Sequence, residues 1–125
     1  MSRNKKNWPF PKQVRLLESR QFKRVFDYKL SVANSILVVY AAPNNLDITR
    51  VGIAVSKKVG NAVVRNTWKR QIREAFRLQY RSLPPSVDLV ILPHRDATPD
   101  HALVLQSVSR LGERLSRGFS KTLGQ

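Results

Sequence analysis

The residues best suited to chemistry are cations and amides between positions 57 and 77. They are Lys57, Lys58, Asn61, Arg65, Asn66, Lys69, Arg70, Arg73 and Arg77. Lysine and arginine bind phosphate groups, and the guanidinium fork can contact two phosphate oxygens at once. If residues 62–81 form a helix, a step of about 100° per residue places Arg65, Lys69 and Arg73 within about 80° of one another. The spacing therefore predicts a basic ridge that binds a polyanion.

Neighbouring cations along this ridge carry the same sign. Three pairs four positions apart, between Arg65 and Arg77, are like-charged, and Glu74 is the only acid between Lys57 and Arg81. Like charges at this spacing destabilise a free helix by about 0.2–0.5 kcal/mol per pair, so an ordinary solvated face usually mixes signs. Bound phosphates would remove that cost. We therefore favour a phosphate-binding ridge over a merely solvated helix face.

The composition of the whole chain agrees with this interpretation. The 125 residues include 23 Lys and Arg but 8 Asp and Glu, which gives a formal net charge of +15. Such a surface favours a polyanionic partner, and charge spread over both halves favours nucleic acid over a membrane-surface helix. Hydrophobic residues make up 42% of the chain, which predicts a folded domain rather than a disordered tail.

Several classes of protein are excluded or disfavoured. The chain has no Cys, which rules out a disulfide framework and a thiolate metal site. His94 and His101, the only histidines, are isolated and make neither a metal site nor a nucleophilic centre. No apolar run is long enough to span a bilayer, and the N-terminus lacks the apolar stretch of a signal peptide. We expect a soluble cytoplasmic protein with no membrane or small-molecule partner.

The elements that must position the ridge follow from hydrophobic periodicity. The pattern predicts helices over 19–28, 62–81 and 99–116, and strands over 34–42, 50–56 and 87–92. Ser19 and Asn61 are candidate N-caps, and Thr98-Pro99-Asp100 is a candidate helix start. We expect the first two strands to pair antiparallel across the turn at 43–47. The expected fold is an α+β or α/β sandwich in the order α-β-β-α-β-α, with helices against a small, mostly antiparallel sheet.

The domain organisation is expected to be simple. Residues 1–15 are predicted as a flexible basic arm, 16–117 as a single domain that binds nucleic acid (an RNA-binding domain, by the resemblance described next), and 118–125 as a C-terminal tail.

The residues between 56 and 77 resemble the signature of a known family. The run SKKVGNAVVRN at 56–66, followed by Lys69-Arg70 and by REAFR at 73–77, resembles the signature of the bacterial ribonuclease P protein subunit. The resemblance extends over most of the chain: Phe22, Val25 and Phe26 match the family's short first helix, and the strands match in order. Two departures are visible. Thr67 stands where the family usually has Arg, and Trp68 where a smaller aliphatic residue is common.

The resemblance implies a fold and a function. The fold would include a further strand before the central helix (α-β-β-(β)-α-β-α) and a left-handed β-α-β crossover, as in a domain of a small-subunit ribosomal protein; the general rule alone predicts a right-handed crossover. The protein would bind a catalytic RNA that removes the 5′ leader from precursor tRNA. That RNA would carry the catalytic site and its magnesium ions, so no catalytic or metal-binding side chain and no cofactor is expected in this chain.

The resemblance also assigns the binding surfaces. The central basic helix would contact the catalytic RNA, and Phe22, Phe26 and Tyr40 would line a cleft for the leader. Aromatic rings can stack on unpaired bases, although spacing alone favours core packing for Phe22 and Phe26. The main alternative is a non-catalytic RNA-binding protein of the ribosomal type, which the charge and size fit equally well.

Overall fold

The computed structural model describes residues 14–16 and 18–123. Its elements in chain order are α1 (Ser19–Tyr28), β1 (Leu30–Ala33), β2 (Leu37–Pro43), β3 (Arg50–Ile53), α2 (Ala62–Gln79), β4 (Val87–Pro93) and α3 (His101–Leu123). Short 3₁₀ turns at Lys57–Val59 and Tyr80–Ser82 precede and follow α2. In the described part of the chain, helices and a mixed sheet therefore form the α+β fold expected from the sequence.

The sheet has the order β1-β2-β4-β3. The pairs β1/β2 and β2/β4 are antiparallel, whereas β3 and β4 are parallel. The prediction that strands 34–42 and 50–56 pair directly is therefore wrong, because β4 lies between them. β4 is almost entirely buried, as predicted for this apolar run, and a strand covered on both faces belongs in the middle of a sheet.

The pairing of β2 with β4 continues one residue beyond the end of β2. The backbone N–H of Asn44 donates to the Ser86 carbonyl at 3.0 Å, directly before β4. The crossover from β3 through α2 to β4 joins neighbouring parallel strands, and its left-handed sense stays a prediction from the resemblance.

Side chains alternate between two apolar layers. Leu37, Val39 and Ala41 of β2 belong to the main core, which includes the buried residues of α2 and α3. Ala42 instead belongs to a smaller cluster with Val25 of α1. Because successive strand residues point to opposite faces, α1 covers one face of the sheet while α2 and α3 cover the other.

Element boundaries differ from the sequence prediction at several ends. Glu18, not Ser19, is the N-cap of α1: the Glu18 and Gln21 side chains form a reciprocal capping box with each other's backbone N–H groups. α3 begins at His101, two residues after the predicted start, and the Asp100 side chain accepts from the Leu103 N–H at 3.0 Å. α3 continues to Leu123, beyond the predicted end at 116 and into the segment predicted as a tail.

The end of the predicted N-terminal arm is part of the fold. Val14, within the predicted arm, is buried; so is Leu16, the first residue of the predicted domain, whose N–H donates to the Val51 carbonyl at 2.9 Å. The rest of that arm, residues 1–13, lies outside the described residues, as do positions 124 and 125. The strand predicted over 34–42 is β2, which begins at Leu37, and a further strand, β1, precedes it; the two are joined by a turn in which the Asn34 side chain accepts from the Ile36 and Leu37 N–H groups.

Candidate RNA interface

A tight turn at Lys57–Val59 brings two lysines to the start of α2. The Ser56 hydroxyl accepts from the Lys58 N–H at 2.9 Å, and both Lys57 and Lys58 are exposed. Gly60 follows, where a β-carbon would lie 2.9 Å from the Val64 Cβ. The absence of a side chain at Gly60 therefore lets the turn lie directly against the first turn of the helix.

Asn61 begins α2 as the sequence predicted. Its side-chain oxygen accepts from the Val64 N–H at 3.0 Å, which satisfies one of the free donors at the helix start. The helix N-terminus carries a partial positive charge. Together with Lys57 and Lys58 it makes this end of α2 a favourable place for an anion.

α2 buries one side and exposes the other. Trp68, Ile72, Ala75 and Phe76 are buried in the main core. Asn66, Arg70 and Arg73 are exposed. The structure therefore places these three predicted residues at the surface, on the side of α2 away from the sheet.

Arg65 and Lys69 lie on the flank between these two sides. Both are half-buried, which agrees with their positions about 20° (Arg65) and about 60° (Lys69) from the buried Ile72 on a helical projection. Within the described part of the chain, the buried Nε atom of Arg65 has no hydrogen-bond partner. A buried donor without a partner is unusual, so Arg65 retains the capacity to donate to an oxygen of a bound ligand.

Arg77 differs from the other predicted cations. Its guanidinium forms an ion pair with Glu74, including a 3.2 Å hydrogen bond from Nε to Oε1. The Arg77 side chain is 11% exposed and that of Glu74 is 39% exposed. The structure thus places Arg77 beside an acid of its own helix, and its charge is partly neutralised before any ligand arrives.

The three predicted aromatic residues meet between α1 and the sheet. The rings of Phe26 and Tyr40 are in edge-to-face contact, with centroids 4.9 Å apart and an interplanar angle of 76°. The Phe22 ring lies over Gly52 of β3, where a β-carbon would come within 2.6 Å of the Phe22 Cζ. All three side chains are half-buried, so they both contribute to packing and retain accessible surface.

Phe22 and Phe26 line an open groove. Ser19 and Lys23 complete its lining, and its volume is about 390 Å³. An apolar groove with a lysine and a hydroxyl at its edge suits a nucleotide, because the base can stack on a ring while the phosphate meets the cation.

A second opening of about 520 Å³ lies where β3 and β4 end, and spacing along the sequence did not reveal it. Its lining comprises Ala54, Ser56, Lys58, Val59, Leu92, Pro93, Arg95 and Asp96. Ligand crevices often lie at the carboxyl ends of parallel strands. This rule points to Arg95 as a binding residue only when β3 and β4 are known to be parallel neighbours, which the sequence did not show.

The two openings share one face of the sheet. Ala54 and Leu92 of the second opening belong to the same apolar cluster as Phe22, Phe26 and Tyr40. An apolar surface therefore runs from the groove beside α1 to the Lys57–Val59 turn, with cations near both ends.

A buried carboxylate lies beneath this surface. Asp88 is fully buried, and Arg50 donates to both of its oxygens at 2.8 Å. Arg24 of α1 donates to Oδ2 at 2.7 Å and Asn44 donates to Oδ1 at 2.9 Å. Burial alone would raise the pKa of Asp88, but the hydrogen bonds from Arg50, Asn44 and Arg24 outweigh it and hold that pKa below its ordinary value. The same pairing raises the pKa of Arg50.

Among residues 14–16 and 18–123, no group of three or more His, Cys, Asp and Glu side chains could hold a metal ion. No helix within those residues is both long enough and apolar enough to cross a bilayer.

Comparison with known proteins relates this chain to one family. The chain matches the family Ribonuclease P over residues 10–116. The ribonuclease P protein component of Caldanaerobacter subterraneus subsp. tengcongensis is 38% identical over 101 residues, which cover 80% of this chain and 87% of that relative.

Solved structures agree with the sequence comparison. The Staphylococcus aureus RNase P protein superposes with a TM-score of 0.70 at 34% identity, covering 82% of this chain and 94% of that one. The RNase P protein from Thermotoga maritima superposes with a TM-score of 0.71 at 32% identity, covering 80% and 96%.

Proposed function

Because this chain belongs to the family of ribonuclease P protein components, we propose that it is the protein subunit of an endoribonuclease that removes the 5′ leader from precursor tRNA. The main support for assigning a separate RNA segment to each of its two surfaces is the position of those surfaces on the sheet. The basic side of α2 and the aromatic groove of α1 lie on opposite faces of one small sheet. A single domain can therefore hold two RNA segments at once.

The first segment is the catalytic RNA, which α2 binds. The proposed contacts are those of the sequence prediction: Lys57, Lys58, Asn61, Arg65, Asn66, Lys69, Arg70, Arg73 and, to a lesser degree, Arg77. Exposed arginines and asparagine donate to phosphate and sugar oxygens without reading sequence. Thr67 stands where the family usually has Arg. Its hydroxyl donates a hydrogen bond to the Val63 carbonyl at 2.9 Å, so this donor is used within the helix rather than for RNA.

The second segment is the single-stranded leader, which follows the apolar surface from α1 to the end of β3. Phe22, Phe26 and Tyr40 offer stacking surfaces, each worth about 1–3 kcal/mol per base. Lys23 and, at the second opening, Arg95 lie where they can contact the backbone phosphates of an extended strand. This accounts for the half-buried state of the rings, because a fully buried ring could not stack on a base.

The chemistry of cleavage belongs, in this proposal, to the RNA subunit. Magnesium ions held by that RNA would supply the activated water and the stabilisation of the leaving oxygen. The protein's own residues position the two RNA segments and lower the repulsion between them. We propose the cytoplasm as the site of action, where the RNA subunit and the precursor tRNA would meet this protein.

The test is cleavage of precursor tRNA at a low magnesium concentration. The purified chain alone is expected to leave the substrate intact, and its addition to the RNA subunit is expected to stimulate cleavage. The double variant Arg70→Ala/Arg73→Ala should lose most of the stimulation, whereas Arg110→Ala/Arg117→Ala, which removes the same charge from exposed positions of α3, should keep it. No stimulation by the unchanged protein would favour the ribosomal-type alternative.

A further inference from the structure

The position of α1 on the sheet depends on contacts on both of its sides. Val25 faces the sheet and is fully buried. With a step of about 100° per residue, Phe22 and Phe26 lie about 60° and 100° to one side of Val25, and Arg24 lies about 100° to the other. The contact of Val25 with the sheet is therefore the pivot for any rotation of α1 about its own axis, which is called its roll below.

Arg24 ties one side of α1 to the sheet. Its Nη1 donates to the Pro43 carbonyl at 2.9 Å and its Nη2 donates to Asp88 at 2.7 Å. Asp88 is in turn fixed from β3 by the two hydrogen bonds from Arg50. Two directional contacts from one planar guanidinium restrict rotation of the helix more than a single contact would.

The rings on the other side respond to the same rotation. Phe26 contacts Tyr40, which is on β2 three residues before Pro43. Phe22 lies directly on the backbone at Gly52 of β3. A roll of α1 about Val25 would therefore move both rings relative to the sheet and change the width of the groove.

We propose that Arg24 and Asp88 form a positioning pair that sets the roll of α1 and thereby tunes the groove for a single-stranded leader. The proposal rests on the proposed function of the groove. Asp88 is fully buried and has no surface for RNA. The pair therefore acts through Phe22 and Phe26 and strengthens binding of precursor tRNA without strengthening binding of mature tRNA.

The experiment measures the preference for the leader in the assembled holoenzyme. The readout is the ratio of the dissociation constants for mature and precursor tRNA. Arg24→Gln should lower this preference about tenfold, which corresponds to the loss of one stacked base, and Arg24→Lys should restore part of it. The control is Arg20→Gln, which removes the same charge from α1 at an exposed ion pair with Glu18, and it should change the preference less than twofold.

A double-variant cycle separates positioning from direct contact, because Arg24 is itself partly exposed. If Arg24 acts through the rings, adding Arg24→Gln to Phe26→Ala should cause little further loss. If the two losses are additive and Arg24→Gln lowers the salt dependence by about one unit, Arg24 contacts a phosphate directly and the positioning role is wrong.

Asp88→Asn provides the second variant, with thermal unfolding used to choose a temperature at which it remains folded. It should reproduce the loss of leader preference and leave affinity for the RNA subunit unchanged, since α2 lies on the other face of the sheet. A folded Asp88→Asn protein with full leader preference would overturn the proposal.

Phe26→Ala distinguishes this proposal from the proposed function. Tyr28→Ala serves as its control, because Tyr28 is an exposed aromatic residue of the same helix. If Phe26→Ala and Tyr28→Ala behave alike, the groove does not bind the leader and the function assigned to it is wrong. If Phe26→Ala lowers the preference and Arg24→Gln does not, the groove assignment stands and the positioning pair alone is refuted.

Discussion

Individual cations on α2 are not equivalent, although their spacing along the sequence makes them look so. Arg70 and Arg73 are exposed, Arg65 and Lys69 are half-buried on the flank, and Arg77 is paired with Glu74. The contribution of each cation to the free energy of RNA binding depends on the interactions that it loses when RNA binds. An exposed cation gives up hydration and counterions, whereas Arg77 must also give up part of a bond to its own carboxylate.

This ranking gives a prediction for binding of the RNA subunit. Arg73→Ala should weaken affinity and lower the slope of log affinity against log salt by about one unit, because one phosphate contact is lost. Arg77→Ala should change the slope by clearly less, and Arg110→Ala on α3 should not change it. The measurement is a set of binding titrations over a range of monovalent salt. Equal slopes for Arg73→Ala and Arg77→Ala would show that the Glu74 pair opens on binding and that the ranking is wrong.

At the scale of elements, the motif from 56 to 66 contains residues that shape the junction between the 3₁₀ turn and α2 as well as residues that carry charge. Ser56 closes the 3₁₀ turn, Gly60 permits its close approach to Val64, and Asn61 caps α2. None of these three residues carries charge, yet they determine where Lys57 and Lys58 stand. A signature of this length therefore combines binding residues with residues that hold them in place.

The cap of α2 can be tested by its effect on stability. Asn61→Ala removes the acceptor for the Val64 N–H and should lower the free energy of unfolding by about 1 kcal/mol. Asn66→Ala, an exposed asparagine within the same helix, should be neutral or slightly stabilising because alanine favours helix. The measurement is the urea midpoint at unchanged slope. Equal midpoints for the two variants would mean that the cap contributes nothing to the fold.

At the scale of the whole molecule, one buried carboxylate joins three parts of the fold. Asp88 on β4 binds Arg50 on β3, Asn44 in the turn after β2 and Arg24 on α1. A buried charge is tolerated only when it is well paired, and here each oxygen has two donors. The network therefore couples the position of α1 to the order of strands in the sheet.

The network predicts a pH dependence of stability. The folded-state pKa of Asp88 lies below its ordinary value, so its contribution is present above about pH 4 and is lost as the pH falls through the lower, folded-state pKa. Asp88→Asn should lower the free energy of unfolding at neutral pH by about 3–5 kcal/mol, because the half-buried Arg50 loses its charged partner and the partly exposed Arg24 loses its ion pair. It should also reduce the loss of stability on acidification.

The control for this measurement is Asp27→Asn, which breaks the exposed pair with Lys23 and should cost no more than about 0.5 kcal/mol at neutral pH. Denaturant unfolding between acidic and neutral pH provides the data. Parallel curves for the unchanged protein and Asp88→Asn below about pH 4 would contradict the role assigned to this carboxylate.

Local spacing along the sequence determined the three helices and three of the four strands in the described part of the chain, together with the family and the buried side of α2. α1 occupies 19–28 as predicted, Asn61 caps α2, and the apolar run at 87–92 is a buried strand. These features depend on residues within a few positions of one another, since helix and strand periods decide which side chains share a face. The sequence therefore carries them without reference to the rest of the chain.

Only the tertiary structure decided how distant segments meet. It placed β4 between β2 and β3, joined the groove of α1 to the opening beside Arg95, and brought Arg24 to Asp88, 64 positions away. Asp88 reads in the sequence as one polar residue in an apolar run, and nothing near it indicates its partners. Such contacts follow from the order and direction of the strands, and these are set by packing among all the elements together.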